Sequence, residues 1–219
     1  MRKYISESDL PKIKDDLATQ IMSEWGALPA NYTRCSYLES TGVQYIQTNI
    51  VPNQDTRIIC DFEVLDVSSP APLFGARVGV TENAFGVWVE CNENSEGHIH
   101  VCPQYGSVSY SEYHIEMDPK QRLLINMHST GATVNLETSV WERSQFSTGS
   151  RLTIFSMCSS DKPDTRRAVG RLRSFRVYEN GLLSLFLLPV INADGEAGMF
   201  DKVANEFYGN AGEGVFVAG

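Results

Sequence analysis

The sequence predicts an all-β sandwich or barrel carrying one short N-terminal α-helix. Three observations predict it. From Tyr32 onward, short strand-like runs recur about every ten residues with turn residues between them. After that point no helix-period segment exceeds about two turns, which argues against βαβ units. Before it, a single apolar stripe repeats at helical spacing and stops at Gly26 and Pro29.

The helix comes first. Ser8 caps it, Asp9 lies in its first turn, and Pro11 is early enough to be tolerated. Leu10, Ile13, Leu17, Ile21 and Trp25 form one narrow stripe, with Lys12, Asp15, Asp16 and Gln20 on the other faces. Such a helix does not fold alone with its stripe exposed. It packs on its own domain, on copies of itself or on another protein. The hinge at 27–31, with Pro29 inside it, favours self-association or anchoring. Residues 1–31 are therefore read as helix and hinge, and 32–219 as the β domain.

The strands follow in order. Runs at 37–40 and 44–48 flank Thr41-Gly42, and 56–64 is a strand of mixed face. Pro70 and Pro72 precede a run at 73–77; 85–91 alternates, 92–97 is a turn cluster, and 98–102 resumes. The run at 121–128 turns at Gly131 into 132–137. The strongest runs are 151–158 and 169–178, the latter turning at Asn180-Gly181 into 182–189. Phe74, Phe175, Val177, Leu187, Phe200 and Phe207 alternate with polar residues and are candidate core.

Composition excludes several function classes. The 219 residues are 42% hydrophobic and 21% charged, ordinary for a globular domain and unlike a disordered or fibrous chain. No apolar run approaches the roughly 20 residues of a membrane-spanning helix, so no membrane insertion is expected. A net charge of −9 argues against general nucleic-acid binding. Five arginines at 166, 167, 171, 173 and 176 read as a solvated strand face and loop. The N-terminus lacks an apolar secretory core, so synthesis in a host cytoplasm is expected. Cys35, Cys60, Cys91, Cys102 and Cys158 are odd in number and read as free, mostly buried thiols.

Certain strings resemble a known family. The string 37–48 (YLESTGVQYIQT), Pro52, Thr56-Arg57 and Leu73-Phe74-Gly75-Ala76-Arg77 are similar to the opening of concanavalin A-like, laminin-G-like jelly-roll domains. The strings 170–178 (GRLRSFRVY), Asn180-Gly181, 194–201 (DGEAGMFD) and 207–212 (FYGNAG) are similar to its closing module. The resemblance covers roughly 35–219, is loose from 78 to 150, and leaves the N-terminal helix outside. It implies a concanavalin A-like jelly-roll β-sandwich, of a kind common in phage and prophage structural proteins and gut-bacterial surface proteins. The shared residues mainly specify a fold and do not name a ligand.

The search for chemistry yields no enzyme. Glucanases of such folds alternate carboxylates along one strand. Here Glu112, Glu116 and Asp118 come nearest, but the third acid beyond Asp118 is Lys120 and Pro119 breaks the strand. No nucleophile elbow, phosphate loop or dinucleotide fingerprint occurs. His98, His100 and Cys102 alternate toward one face, with Cys91 ending the preceding strand. Zinc is the weaker reading of that set, and exposed histidines beside a half-buried thiol the preferred one. The acid-rich turn 92–97 has calcium-type oxygens without a recognisable spacing. No metal or cofactor is expected. Sugar binding needs aromatic faces among polar groups. Trp88, Tyr105, Tyr110, Tyr113 and Trp141 supply them in the loosely matching middle of the chain.

The expected protein is therefore a non-enzymatic element of a phage virion, a fibre or decoration protein. The helix joins it to other virion proteins or to copies of itself, a trimer by analogy, and the jelly roll contacts a host surface glycan. The alternatives are a purely structural capsid or tail decoration protein, a bacterial surface lectin, and last a glycan hydrolase.

Overall fold

The computed structural model describes residues 27–79, 83–91, 98–107, 114–118, 121–160 and 162–219. The predicted helix and its stripe, Leu10 to Trp25, lie outside the described residues. Nineteen strands follow: β1 (Thr33–Arg34), β2 (Leu38–Thr41), β3 (Ile46–Gln47), β4 (Thr56–Asp66), β5 (Ala71–Arg77), β6 (Ala84–Glu90), β7 (Ile99–Gly106), β8 (Ile115–Met117), β9 (Arg122–His128), β10 (Gly131–Val134), β11 (Glu137–Val140), β12 (Thr153–Ile154), β13 (Cys158–Ser159), β14 (Lys162–Pro163), β15 (Val169–Glu179), β16 (Leu182–Ile191), β17 (Ala197–Asp201), β18 (Glu206–Tyr208) and β19 (Val217–Ala218).

They form two sheets. The larger, of eleven strands, runs β11-β10-β9-β4-β15-β16-β17-β18, with β2 also on β15, β19 on β2 and β1 on β16. The smaller, of eight, runs β14-β13-β5-β6-β7-β8, with β12 joining β3 to β5. Pairing is antiparallel apart from β5 with β13. The sheets face each other across one apolar core, consistent with a β-sandwich. Phe74 of the smaller sheet meets Phe175 of the larger edge-on, ring centres 5.2 Å apart.

The centre of the larger sheet follows from period-two patterning. In β4, Ile58, Cys60, Phe62 and Val64 point to the core and Arg57, Ile59 and Glu63 away. The hairpin β15–β16 turns on Asn180 (φ 51°) and Gly181 (φ 79°), with Glu179 opposite Leu182. Both residues take the positive φ that a type I′ turn requires.

Two expectations are corrected. The run 151–158 is not one strand: Phe155 has φ 64° and separates β12 from β13. Its ring is fully buried against Phe62 (5.1 Å) and Phe216 (5.6 Å), and its amide donates to Leu73 O at 2.7 Å. That packing holds a backbone region that non-glycine residues rarely occupy. The runs at 37–40 and 44–48, on either side of Thr41-Gly42, belong to different sheets, β2 to the larger and β3 to the smaller. Phe207 is half-buried rather than core, 5.9 Å from Tyr32; Tyr32 also meets Phe200 at 4.6 Å.

Candidate functional site

Of the aromatics expected to stack on sugar, the three among the described residues do not present their faces. Tyr110 and Tyr113 lie outside the described residues. Tyr105 is fully buried on the inner face of β7 among Phe85, Phe146 and Trp141. Its hydroxyl donates to Thr56 O at 2.8 Å, and burial pushes its pKa well up. Trp141 is 7% exposed in the same cluster. Trp88 is 6% exposed on the outer face of β6. Its Nε1 donates to Gln104 Oε1 at 3.0 Å, and the Arg166 guanidinium covers its ring at 4.4 Å. These three rings serve packing, which corrects their assignment as sugar platforms.

The cover over Trp88 comes from Met157 and Arg166. Met157 is fully buried against Trp88 and Cys102, forming a second, smaller core on the outer side of the smaller sheet. Glycine makes this approach possible. A Cβ on Gly75 would lie 2.5 Å from Met157 Cε, and one on Gly86 would overlap the Phe74 carbonyl oxygen. Asp164 ties the segment down through Arg77 at 3.2 Å and Arg166 at 3.0 Å. Burial works against its charge, but the hydrogen bonds and guanidinium charges prevail and hold its carboxyl below the usual range.

An open cleft lies where the larger sheet's central strands end. Gln54, Asp55, Arg57, His128, Arg143 and Tyr178 line it, with Tyr105 beneath. Arg57 and Tyr178 are register partners on β4 and β15, and the guanidinium lies 5.7 Å from the ring centre. The Asn180-Gly181 turn fixes the far wall, with Asn180 N donating to Asp55 O at 3.3 Å. Asp55 also pairs with Arg143. Burial, then the Arg57 charge, holds His128 below the usual imidazole range. The cleft thus offers one half-buried aromatic ring and polar groups of both signs on a rigid frame. Sequence reasoning missed it, because Arg57 and Tyr178 meet only through strand register.

A third grouping sits on the outer face of β6, β7 and β8. Glu90 is opposite His100, and His100 is opposite Glu116. His98 Nδ1 lies 3.3 Å from Asp118 Oδ1, and His100 Nε2 lies 3.4 Å from Glu116 Oε1. The His100 and His114 rings stack, centres 5.1 Å apart and 30° between planes. Burial, then the Glu90 charge and a hydrogen bond to Glu90, pushes the Cys102 thiol up. Thus His98, His100 and Cys102 do share a face, as their spacing implies, but His100 and Cys102 are buried rather than exposed and half-buried. Cys91 is exposed. Of the weighed carboxylates, Glu116 and Asp118 are exposed beside histidines, and Glu112 lies outside the described residues.

None of the five cysteines is in a disulfide among the described residues, and four are buried. The arginine run divides between the covering segment and the outer face of β15. There Arg171 meets Glu39 at 2.7 Å, and Arg173 meets Glu63 at 2.7 Å. No family model matches the chain, and no curated protein matches it.

Proposed function

We propose that the chain is a non-enzymatic structural and binding element of a phage particle, whose concanavalin A-like jelly roll contacts a host surface glycan. The reading rests on the resemblance of both ends of the β domain and on the two-sheet architecture. One observation carries the glycan part: the cleft with Tyr178, Arg57, Asp55 and Asn180 at its mouth. Tyr178 supplies a ring for a pyranose face, and the charged and amide groups supply partners for hydroxyls. Residues 1–31 serve attachment or oligomerisation in this reading, with a trimer the preferred state. The test is binding of the full chain, displayed multivalently, to host cells and their surface polysaccharides. Saturable binding that disappears when the polysaccharide is stripped is the expected result.

A second reading has its own support. Trp88, Tyr105 and Trp141 are all buried, as in a decoration element that binds no sugar. Multivalent display without any polysaccharide binding decides for that reading.

A further inference from the structure

We infer that Glu90, His100 and His114 bind one divalent transition-metal ion of the zinc type on the outer face of the smaller sheet. The ligand atoms of these three side chains all lie within 4.8 Å of one another. They come from three places in the sheet: the end of β6, the start of β7 and the residue entering β8. The ladder brings them together, since Glu90 is paired with His100 and His114 precedes Ile115, the partner of Val101.

The donor set selects the metal class. Two imidazoles and one carboxylate suit zinc and its neighbours, whereas calcium and magnesium take oxygen donors. Glu116, 3.4 Å from His100, stands nearest for a fourth position. Zinc bonds of about 2.0–2.1 Å place tetrahedral ligand atoms roughly 3.4 Å apart. The three ligand atoms lie within 4.8 Å of one another, and Glu90 and His114 are exposed enough to close the rest by side-chain rotation. His100 is 7% exposed, so the site has one anchored ligand and two adjustable ones. Three carboxylates, Glu90, Glu116 and Asp118, give this face a negative potential that favours a cation. The ion would clamp edge strand β8 to β6 and β7. The inference is independent of the glycan reading, because the cleft involves none of these residues.

The test uses tag-free full-length chain stripped with a chelator. It is titrated with Zn2+ by calorimetry and with Co2+ by visible absorption. The expected result is one ion per chain and a raised thermal midpoint with zinc. His114→Ala and Glu90→Gln each weaken binding about tenfold or more, and Cys91→Ser leaves it unchanged. His114 is exposed, so His114→Ala keeps the metal-free thermal midpoint and separates ligand loss from misfolding. Absence of zinc heat and of a cobalt spectrum in the wild-type chain overturns the inference. So does stoichiometric binding that both ligand variants retain.

Discussion

The outer faces of the two sheets differ in what covers them. On the larger sheet, charged side chains alternate outward and pair with one another: Arg122 with Asp61, Arg171 with Glu39, Arg173 with Glu63. Leu124 stands among them 54% exposed. On the smaller sheet, Trp88, Cys102 and Met157 form a buried cluster with the Arg166 guanidinium over the Trp88 ring, and His100 and Gln104 are also buried. The outward positions of β4 are largely charged, whereas those of β6 and β7 mix Gly86, Trp88 and Cys102 with Glu90, His100 and Gln104. Among the described residues, Met157 and Arg166, distant in sequence from β6 and β7, cover the smaller sheet's face alone, so alternation by itself does not say whether an outward face is wet.

The largest test of that contrast removes the cover's anchor. Met157→Ala leaves a cavity on a fully buried site, and a loss of about 2–5 kcal/mol is expected from urea unfolding. The matching change on the other face, Leu124→Ala, stays within about 0.5 kcal/mol. Equal costs would erase the distinction.

The next largest effect concerns the ties on the covering segment. Asp164→Asn weakens its charged hydrogen bonds to Arg77 and Arg166, and about 1.5–3 kcal/mol is expected. Its carboxyl is depressed in the folded state, so its contribution is complete above the unfolded carboxylate pKa of about 3.9 and disappears as pH falls through the lower folded value. Acid titration of stability should therefore lose part of its slope below about pH 4 in Asp164→Asn. An unchanged acid profile would show that Asp164 does not hold the cover.

The smallest effect belongs to the charged face. Glu63 sits between Arg171 and Arg173, both partly exposed. Glu63→Gln is expected to cost under about 1 kcal/mol, and less in high salt. A cost that matches Met157→Ala, or one insensitive to salt, would mean the larger face is not the solvated one.

Much of the frame was legible in the chain itself. The strands β4 and β15 carry long period-two patterns, β16 is a nearly continuous apolar run, and Asn180-Gly181 names its own turn. The break at Phe155 was not legible, because an aromatic with positive φ is imposed by tertiary packing against Phe62 and Phe216. The burial of Trp88, Tyr105 and Trp141 was not legible either. A ring that stacks on sugar and one that packs under a loop have the same local sequence. One of the three metal-type ligands, His100, was visible in the string His98-Ile99-His100-Val101-Cys102. Glu90 and His114 enter it through register, which spacing along the chain does not encode.

The glycan contact is the central claim, and paired variants test it most directly. Tyr178→Ala and Trp88→Phe would be compared in one titration against a host polysaccharide that the wild-type chain binds. The account predicts about a tenfold loss for Tyr178→Ala, the size of one ring-stacking contribution, and unchanged affinity for Trp88→Phe. Retained affinity in Tyr178→Ala with loss in Trp88→Phe would contradict it and return the sugar to the covered face of the smaller sheet.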